Sequence, residues 1–210
     1  RAAWLRSVTA PSRLPRAVSC YSGATGTDAP ASGEDGTDMA GTIVKVGDNR
    51  YRERFGRYFE DFTVGDIYEH RPGRTLTETE NTWFTLLTMN THPLHFDAEY
   101  ARHTEFGRCL ICSPFTVAVM VGMSVSDISQ KAIANLGWKE IKLTHPLFAG
   151  DTLTAESEVL DKRESRSRPN AGIVSVETRG FNQDGVTVCT FERTMLVPKK
   201  GYDVEEKAKY

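Results

Sequence analysis

Two polar side chains in one irregular stretch of this 210-residue chain have the properties needed to handle a water molecule and a proton. The stretch is LTMNTHPLHFDAEYA, residues 87–101, and it contains Asn90 and His95. Pro93 stops a helix from continuing through it, so these side chains can point into a cleft instead of a core. An imidazole with its ordinary pKa of ~6.5 exchanges protons readily, whereas an amide only hydrogen-bonds. His95 is therefore a candidate acid–base group, and Asn90 is a candidate water ligand.

A helix that could stabilise an anion is predicted to begin at Ser113. Ser113 is a favoured N-cap, Pro114 is a favoured first helical residue, and residues 115–123 are apolar on nearly every face. We therefore expect Ser113 to cap a helix that is buried on all sides. The first backbone N–H groups of a helix are unpaired, and its dipole favours negative charge, so this end could hold an oxyanion.

An earlier helix is predicted to lead into the irregular stretch. Thr77 and Glu80 have the spacing of a capping box, which predicts a helix over residues 78–88. One apolar face of this helix is expected to consist of Trp83, Phe84, Leu86 and Leu87. Before it, residues 56–77 alternate apolar and polar around Gly65-Asp66, which predicts a short strand and a turn.

From Lys142 onward the apolar pattern has period two, which is typical of half-buried strands. The inward residues of three runs are Leu153, Ala155, Ser157 and Val159; Val174, Val176 and Thr178; and Cys189, Phe191 and Met195. Asp184-Gly185 is a hairpin signal between the last two runs. One apolar helix followed by amphipathic strands predicts an α+β fold in which an antiparallel sheet wraps around a central buried helix.

The two ends of the chain differ in composition from the part between them. Residues 1–22 are rich in arginine and contain no Asp or Glu, which is typical of a mitochondrial transit peptide. The alternative is translated upstream sequence with the true start at Met39. Residues 23–48 are predicted to be a disordered linker, residues 49–201 one domain, and residues 202–210 a charged tail that frays.

Composition excludes several classes of partner. A net charge of -2 gives no bulk positive field for nucleic acid or anionic lipid. The longest apolar run, residues 115–121, is far shorter than the ~20 residues of a membrane-spanning helix, so we expect a soluble protein. Cys109 and Cys112 have metal-site spacing, but no second cysteine or histidine pair completes a site. The cysteines are therefore interpreted as buried, reduced residues, and no metal is expected.

The irregular stretch resembles a motif of MaoC-like enoyl-CoA hydratases and dehydratases. Their hydratase-2 motif reads G-D-x-N-P-x-H-x-D, and residues 89–97 of this chain read M-N-T-H-P-L-H-F-D, with the same spacing from Asn90 to His95. The resemblance covers about 150 residues (49–201). Its other segments are GRYFEDFTVGD, TEFGRCLICSPFTVAVMVG, HPLFAGDTLTAESEV, SRSRPNAGIV and NQDG.

The resemblance implies a single hot-dog fold and the reversible addition of water to an acyl-CoA thioester. In the family, the residues matching Asn90 and His95 bind and activate water, and the backbone N–H matching Ser113 forms the oxyanion hole. Because Asn90 replaces the usual Asp, His95 would be the only base. His92, which stands where the family has Asn, is either a second acid–base group or a substituted loop residue. No cofactor is implied, since CoA is part of the substrate.

The chain most resembles the branch that handles branched C5 dicarboxylic thioesters such as mesaconyl-CoA and itaconyl-CoA. A second carboxylate in the pocket would require a cationic partner. Arg166 and Arg168 are the candidates and Arg108 is the alternative, although the run around Arg166 could also be a solvated hairpin tip or hold a CoA phosphate. The family's edge-to-edge sheet pairing implies a homodimer.

Two other functions are compatible with the same features. A hot-dog thioesterase could use the same helix end to stabilise a tetrahedral intermediate. A non-catalytic acyl-CoA binding protein is suggested by Asn90, which cannot act as a base. Release of free thiol distinguishes the first from a hydratase, and CoA binding without turnover distinguishes the second.

Overall fold

The computed structural model describes residues 43–202 and 204–208. The predicted transit peptide and most of the predicted linker lie outside these residues. The linker prediction is wrong for its last part, because β1 (Ile43–Gly47) and β2 (Arg50–Glu53) form an antiparallel hairpin. Three β-branched residues, Ile43, Val44 and Val46, favour a strand there, and Asn49 adopts the positive φ of 54° that the turn requires.

The main sheet has five antiparallel strands in the order β3-β5-β6-β7-β4. Its strands are β3 (Ile67–Thr75), β4 (Ala134–Leu143), β5 (Thr152–Glu164), β6 (Ala171–Phe181) and β7 (Thr187–Pro198). The helices are α1 (Glu78–Leu87), α2 (Ala98–Arg102), α3 (Ser113–Met123) and α4 (Glu205–Ala208). None of the described helices is long and apolar enough to cross a bilayer.

The predicted inward faces of the last three strands are confirmed. Leu153, Ala155, Ser157 and Val159 are all buried on β5, and the corresponding residues of β6 and β7 are buried as well. The predicted hairpin is also present, with Gly185 at φ 74° and the Asn182 side chain accepting two backbone N–H groups of the turn. The period-two pattern therefore located the sheet's core face.

Helix α3 packs across this core face. Phe115, Val119 and Met120 share one apolar cluster with residues of β5 and β7. A Cβ at Gly180 would lie only 2.7 Å from the Met120 sulfur, so the absence of a side chain there lets α3 approach β6 closely.

Two details of the α3 prediction are wrong. Cys112, not Ser113, is the N-cap residue, because extended backbone continues through Ile111, whose N–H donates to Leu147 O, and the helix begins only at Ser113. The helix is also not buried on all sides, since Pro114, Ala118 and Gly122 are exposed in the protomer. These residues recur every four positions, so they form one stripe along the helix.

Helix α1 has the predicted bounds within one residue and the predicted capping box between Thr77 and Glu80. Its predicted inward face is wrong except for Phe84, which is half-buried and packs on Phe115. Trp83, Leu86 and Leu87 point outward, with Trp83 69% and Leu87 78% exposed, whereas Asn81 and Thr85 are buried. The helix is rotated because the Asn81 amide hydrogen-bonds three backbone groups of two other segments, as described below.

The three cysteines of the described residues are free thiols. Cys112 and Cys189 are buried as predicted, while Cys109 is only half-buried. Burial raises the pKa of the Cys189 thiol to about 11, which keeps it protonated. Burial, reinforced by the carboxylates of Glu78 and Asp97, also raises the pKa of Cys109.

A buried polar chain connects the end of α3 to the sheet. His70 donates or accepts at both ring nitrogens, 2.9 Å from Asp127 Oδ2 and 2.7 Å from Ser157 Oγ. Ser157 Oγ lies 2.8 Å from Thr178 Oγ1. Asp127 belongs to a π-helical turn (Val125–Ser129) that follows α3. This series of hydrogen-bonded side chains therefore fixes the C-terminal end of α3 against β3, β5 and β6.

Arg193 is the least expected member of the core. It occupies an inward position of β7, is 0% exposed, and donates from Nη2 to Ser124 Oγ at 2.9 Å. Burial lowers its pKa to about 10, although the charge of Asp127 acts in the opposite direction. The expected inward face of β7 contained only apolar residues.

Replacing Ser157 by alanine is expected to lower the free energy of unfolding by about 1–3 kcal/mol, because one hydroxyl partner of both His70 and Thr178 is lost in a buried site. Urea denaturation measures this change. Ser175→Ala is the matched control, because Ser175 Oγ makes one half-buried bond, 3.0 Å from Thr194 Oγ1, and should cost less. Equal urea midpoints for Ser157→Ala and the parent protein would contradict a structural role for these hydrogen-bonded side chains.

Candidate functional site

His95 is held with one ring nitrogen occupied and the other unused by the described residues. It ends a 3-10 turn (Pro93–His95), and its Nδ1 lies 2.9 Å from Leu110 O. A carbonyl can only accept, so the proton of the neutral imidazole is on Nδ1. The Nε2 atom then carries a lone pair. This is the tautomer that a general base needs.

His92 is placed differently. Its Nδ1 accepts the Leu94 N–H at 3.1 Å and caps the same 3-10 turn. The neutral ring therefore carries its proton on Nε2, and its lone pair is already used. Its ring is exposed and lies 5.8 Å from the ring of His95, measured between centroids. Of the two alternatives for His92, the geometry favours a loop-stabilising residue.

The Asn90 side chain contacts the backbone of His92 and the residue that precedes α3. Its Oδ1 accepts the His92 N–H at 3.0 Å, and its Nδ2 lies 3.6 Å from Cys112 Sγ. An amide has two donor hydrogens and two acceptor lone pairs, so one of each stays available. Asn90 can therefore hold a water molecule beside Cys112 without moving.

The first peptide groups of α3 lie next to these residues. Leu110, which orients His95, is three positions before Ser113, and Cys112, which contacts Asn90, is the N-cap. Among the described residues, the Ser113 N–H has no acceptor. An unpaired N–H at the positive end of an 11-residue helix is suited to bind an oxyanion.

Asn81, which the sequence reasoning did not select, connects all of these segments. Its Nδ2 donates to His95 O at 2.8 Å and to Leu110 O at 3.1 Å, and its Oδ1 accepts the Cys112 N–H at 2.8 Å. The side chain is 1% exposed. The sequence showed only that a polar residue follows the Thr77 cap by four positions. Hydropathy alone would place such a residue on the exposed face of the helix.

The predicted arginines are not brought together. The Arg108 guanidinium lies 3.8 Å from the centroid of the Phe148 ring, beside the paired residues Leu110 and Phe148. Arg166 and Arg168 are exposed in the turn between β5 and β6. Because β5 has 13 residues, that turn is about 40 Å from the strand's start near Phe148. Arg108 is also exposed, but it is two positions before the Leu110 carbonyl that binds His95, whereas Arg166 and Arg168 lie in that turn.

A cavity of about 530 Å³ lies along the exposed stripe of α3. It exists because Ala118 and Gly122 have little or no side chain, and Phe84 and Phe115 form its wall toward the start of the helix. Two arginines line it on the β3 side, but both are paired, Arg71 with Glu69 at 2.8 Å and Arg74 with Glu80. The cavity can accept an apolar or branched group.

In residues 43–202 and 204–208, no group of three or more His, Cys, Asp or Glu side chains is placed to hold a metal ion. The candidate site consists of an oriented imidazole, an amide and a helix end, and the cavity lies farther along the same helix. These are the components for moving a proton between water and a carbon atom beside a carbonyl whose oxygen becomes negative.

Comparison with known proteins agrees with this composition. A family model described as mesaconyl-CoA hydratase matches residues 35–206. The chain belongs to the mesaconyl-CoA hydratase family. Mesaconyl-CoA hydratases from Cereibacter sphaeroides and Haloarcula marismortui are 36% and 33% identical to it over 69% of this chain. A beta-methylmalyl-CoA dehydratase from Chloroflexus aurantiacus is 32% identical over the same share. The chain spans only 41–42% of the length of these relatives.

Solved structures confirm the hot-dog fold. A monoamine oxidase regulatory protein from Archaeoglobus fulgius aligns with a TM-score of 0.63 and 32% identity, over 70% of this chain and 97% of that one. A MaoC domain protein dehydratase from Chloroflexus aurantiacus gives 0.66 and 32%, over 69% of this chain and 41% of that one. A Mycobacterium tuberculosis protein with a double hotdog fold gives 0.65 at 22% identity, over 70% of this chain and 46% of that one.

Proposed function

We propose that this chain catalyses the reversible hydration of an enoyl-CoA, and that its substrate is a branched C5 dicarboxylic thioester such as mesaconyl-CoA or itaconyl-CoA. The observation that carries the activity is the hydrogen bond from His95 Nδ1 to Leu110 O, which leaves Nε2 as a base beside the start of α3. Family membership and the hydratase and dehydratase relatives support the same reaction class.

In the proposed reaction, Asn90 holds a water molecule and His95 Nε2 takes one of its protons as the oxygen bonds to the β-carbon. Negative charge moves to the thioester oxygen, where the Ser113 N–H and the helix dipole stabilise it. The imidazolium then gives the proton to the α-carbon. One residue thus serves as base and acid in turn, because Asn90 cannot accept a proton.

The substrate class rests on family membership and on one unpaired cation. Arg108 has no carboxylate partner among the described residues, and it lies two positions before the carbonyl that orients His95. A distal carboxylate could reach it without breaking an existing ion pair. The paired Arg71 and Arg74 would first have to release Glu69 and Glu80 or share their guanidinium groups with them.

Absorbance-monitored hydration of a panel of enoyl-CoAs by the full chain tests the proposed activity. Loss of the conjugated double bond without release of free thiol is the expected result. Thiol release would instead indicate a thioesterase. A thermal shift with CoA but no turnover of any thioester would indicate a binding protein.

We also propose that the protein acts as a homodimer through the β4 edge of the sheet. Leu136, Trp138, Ile141 and Leu143 of this edge strand are exposed in the protomer, with Trp138 44% exposed. An apolar edge with unpaired backbone groups is a surface that a second strand covers.

Analytical ultracentrifugation is expected to show a dimer at micromolar concentration. Ile141→Lys places a charge in the proposed contact and should shift the protein to monomer. Ile67→Lys is the matched control, because Ile67 is an exposed apolar residue on the opposite edge strand, β3. If Ile67→Lys dissociates the dimer and Ile141→Lys does not, the interface is at the β3 edge and the proposal is wrong.

A further inference from the structure

We infer that Asn81 is a positioning residue, whose amide fixes the general base relative to the oxyanion-binding helix; this inference rests on the proposed function. Its three hydrogen bonds go to three different parts of the reaction centre. They join His95 itself, the carbonyl of Leu110 that orients the His95 ring, and the N-cap peptide of α3 at Cys112.

The chemistry of the partners defines the orientation of the amide. Two of them are carbonyl oxygens, so both must face Nδ2, and the third is an N–H, so it must face Oδ1. Both Nδ2 hydrogens are thereby used. No other uncharged side chain of this length and shape offers two donors and one acceptor in the same plane.

The Leu110 carbonyl is shared by two donors. One comes from Asn81 Nδ2 at 3.1 Å and the other from His95 Nδ1 at 2.9 Å. Because Asn81 holds this carbonyl and the His95 backbone at once, the distance from the ring to its acceptor is fixed from both sides. Loss of the amide would release the carbonyl, and the Nδ1–H tautomer of His95 would lose its stabilisation.

Helix α1 is the rigid support that holds the Asn81 side chain in place. Asn81 comes directly after the capping box formed by Thr77 and Glu80, and one turn later the carbonyl of Thr85 accepts the N–H of Asn90. The same helix therefore positions the water ligand through its backbone and the base through a side chain. This explains why its buried stripe is Asn81 and Thr85, while Trp83 and Leu87 face outward.

The test compares Asn81→Leu, which has similar size and no polar atoms, with Thr82→Val at the neighbouring half-buried position of α1. Valine has nearly the shape of threonine, and Thr82 belongs to no part of the proposed reaction centre. Asn81→Leu should lower kcat by ~10- to 100-fold with KM changed less than ~3-fold, because displacement of a catalytic group lowers the rate of the chemical step more than it weakens binding. Thr82→Val should behave like the parent protein.

Nitrogen-15 NMR of the histidine rings supplies a readout that does not depend on turnover. The parent protein should show His95 with its proton on Nδ1, and Asn81→Leu should shift this signal toward a mixture of tautomers. A kcat within ~2-fold of the parent, or an unchanged His95 signal in Asn81→Leu, would overturn the inference. If the parent protein hydrates no enoyl-CoA, the proposed function fails, while the NMR comparison still decides the role of Asn81.

Asn81→Asp keeps the size of the side chain and covers the case in which Asn81→Leu does not fold. As a carboxylate it accepts from Cys112 N–H but repels both carbonyls, whereas the protonated acid can donate to one of them. Its kcat relative to the parent should therefore rise as pH falls. A ratio that does not depend on pH would contradict the need for a donor at this position.

Discussion

Replacing His95 by alanine is expected to lower kcat for enoyl-CoA hydration by ~10² or more, the usual scale for removing a general acid–base group. The physical reason is the tautomer that Leu110 O imposes, since Nε2 carries the lone pair that accepts the proton from water. Steady-state kinetics on the best substrate of the enoyl-CoA panel measure the change. The neighbouring imidazole of His92 is held differently, because its Nδ1 accepts the Leu94 N–H.

Two further variants separate chemistry from loop structure. The Nδ2 of asparagine can occupy the position of the His95 Nδ1 donor, so His95→Asn can keep the bond to Leu110 O while lacking a base. It should be as inactive as His95→Ala but closer to the parent in thermal stability. Asn90→Ala should cost less than either, because it removes a water ligand and leaves the base in place.

His92→Ala is the comparison that could reverse the assignment. The His92 Nδ1 is occupied by the Leu94 N–H, so its removal should affect the stability of the loop more than the chemical step. His103→Ala serves as a surface control, because the His103 ring is exposed and pairs with Glu99 on α2. If His95→Ala keeps most activity and His92→Ala does not, the base is His92.

Much of the fold could be predicted because the sheet and α3 are determined by local periodicity. The inward residues of β5 alternate with outward ones over the whole predicted run from Leu153 to Val159, and the turn residues Asp184-Gly185 specify the hairpin before β7. Such patterns depend only on neighbouring residues. The structure changed the end points of these elements little.

The orientation of α1 could not be predicted by the same means. Hydropathy places Trp83, Leu86 and Leu87 inward, but the structure turns Asn81 inward because carbonyls at positions 95 and 110 need donors. That requirement comes from segments distant in sequence. Arg193 is a similar case, since its partner Ser124 lies 69 residues away.

The candidate site also has a part that could be predicted from local sequence and a part that could not. His95, Asn90 and the start of α3 were found because their spacing matches a motif, and the structure brings them together. Arg166 and Arg168 could bind the substrate only if the tip of the β5–β6 hairpin lay at the site. Period-two patterns do not show which end of a hairpin faces a site. Pairing of Leu110 with Phe148 instead accompanies the stacking of Arg108 on the Phe148 ring, two positions before the carbonyl that binds His95.

The full chain is expected to prefer mesaconyl-CoA or itaconyl-CoA to crotonyl-CoA by ~100-fold or more in kcat/KM. The distal carboxylate of the C5 substrates gains a charge-assisted bond to an arginine, and crotonyl-CoA cannot supply this carboxylate. The measurement is the ratio of kcat/KM values for the dicarboxylic and monocarboxylic thioesters under one set of conditions. Equal or better turnover of crotonyl-CoA would leave a general short-chain enoyl-CoA hydratase.

Three glutamine substitutions then identify the arginine. Arg108→Gln should reduce the substrate preference to below ~10-fold, because glutamine keeps a donor but loses the charge and the bidentate geometry. Arg166→Gln is the control at the far end of β5. If each site is formed by a single protomer, this variant should keep the full preference for the dicarboxylic thioester. If Arg74→Gln removes the preference and Arg108→Gln does not, the carboxylate is bound in the cavity beside α3. If only Arg166→Gln removes it, a second protomer supplies the arginine, because the turn is about 40 Å along β5 from the strand's start.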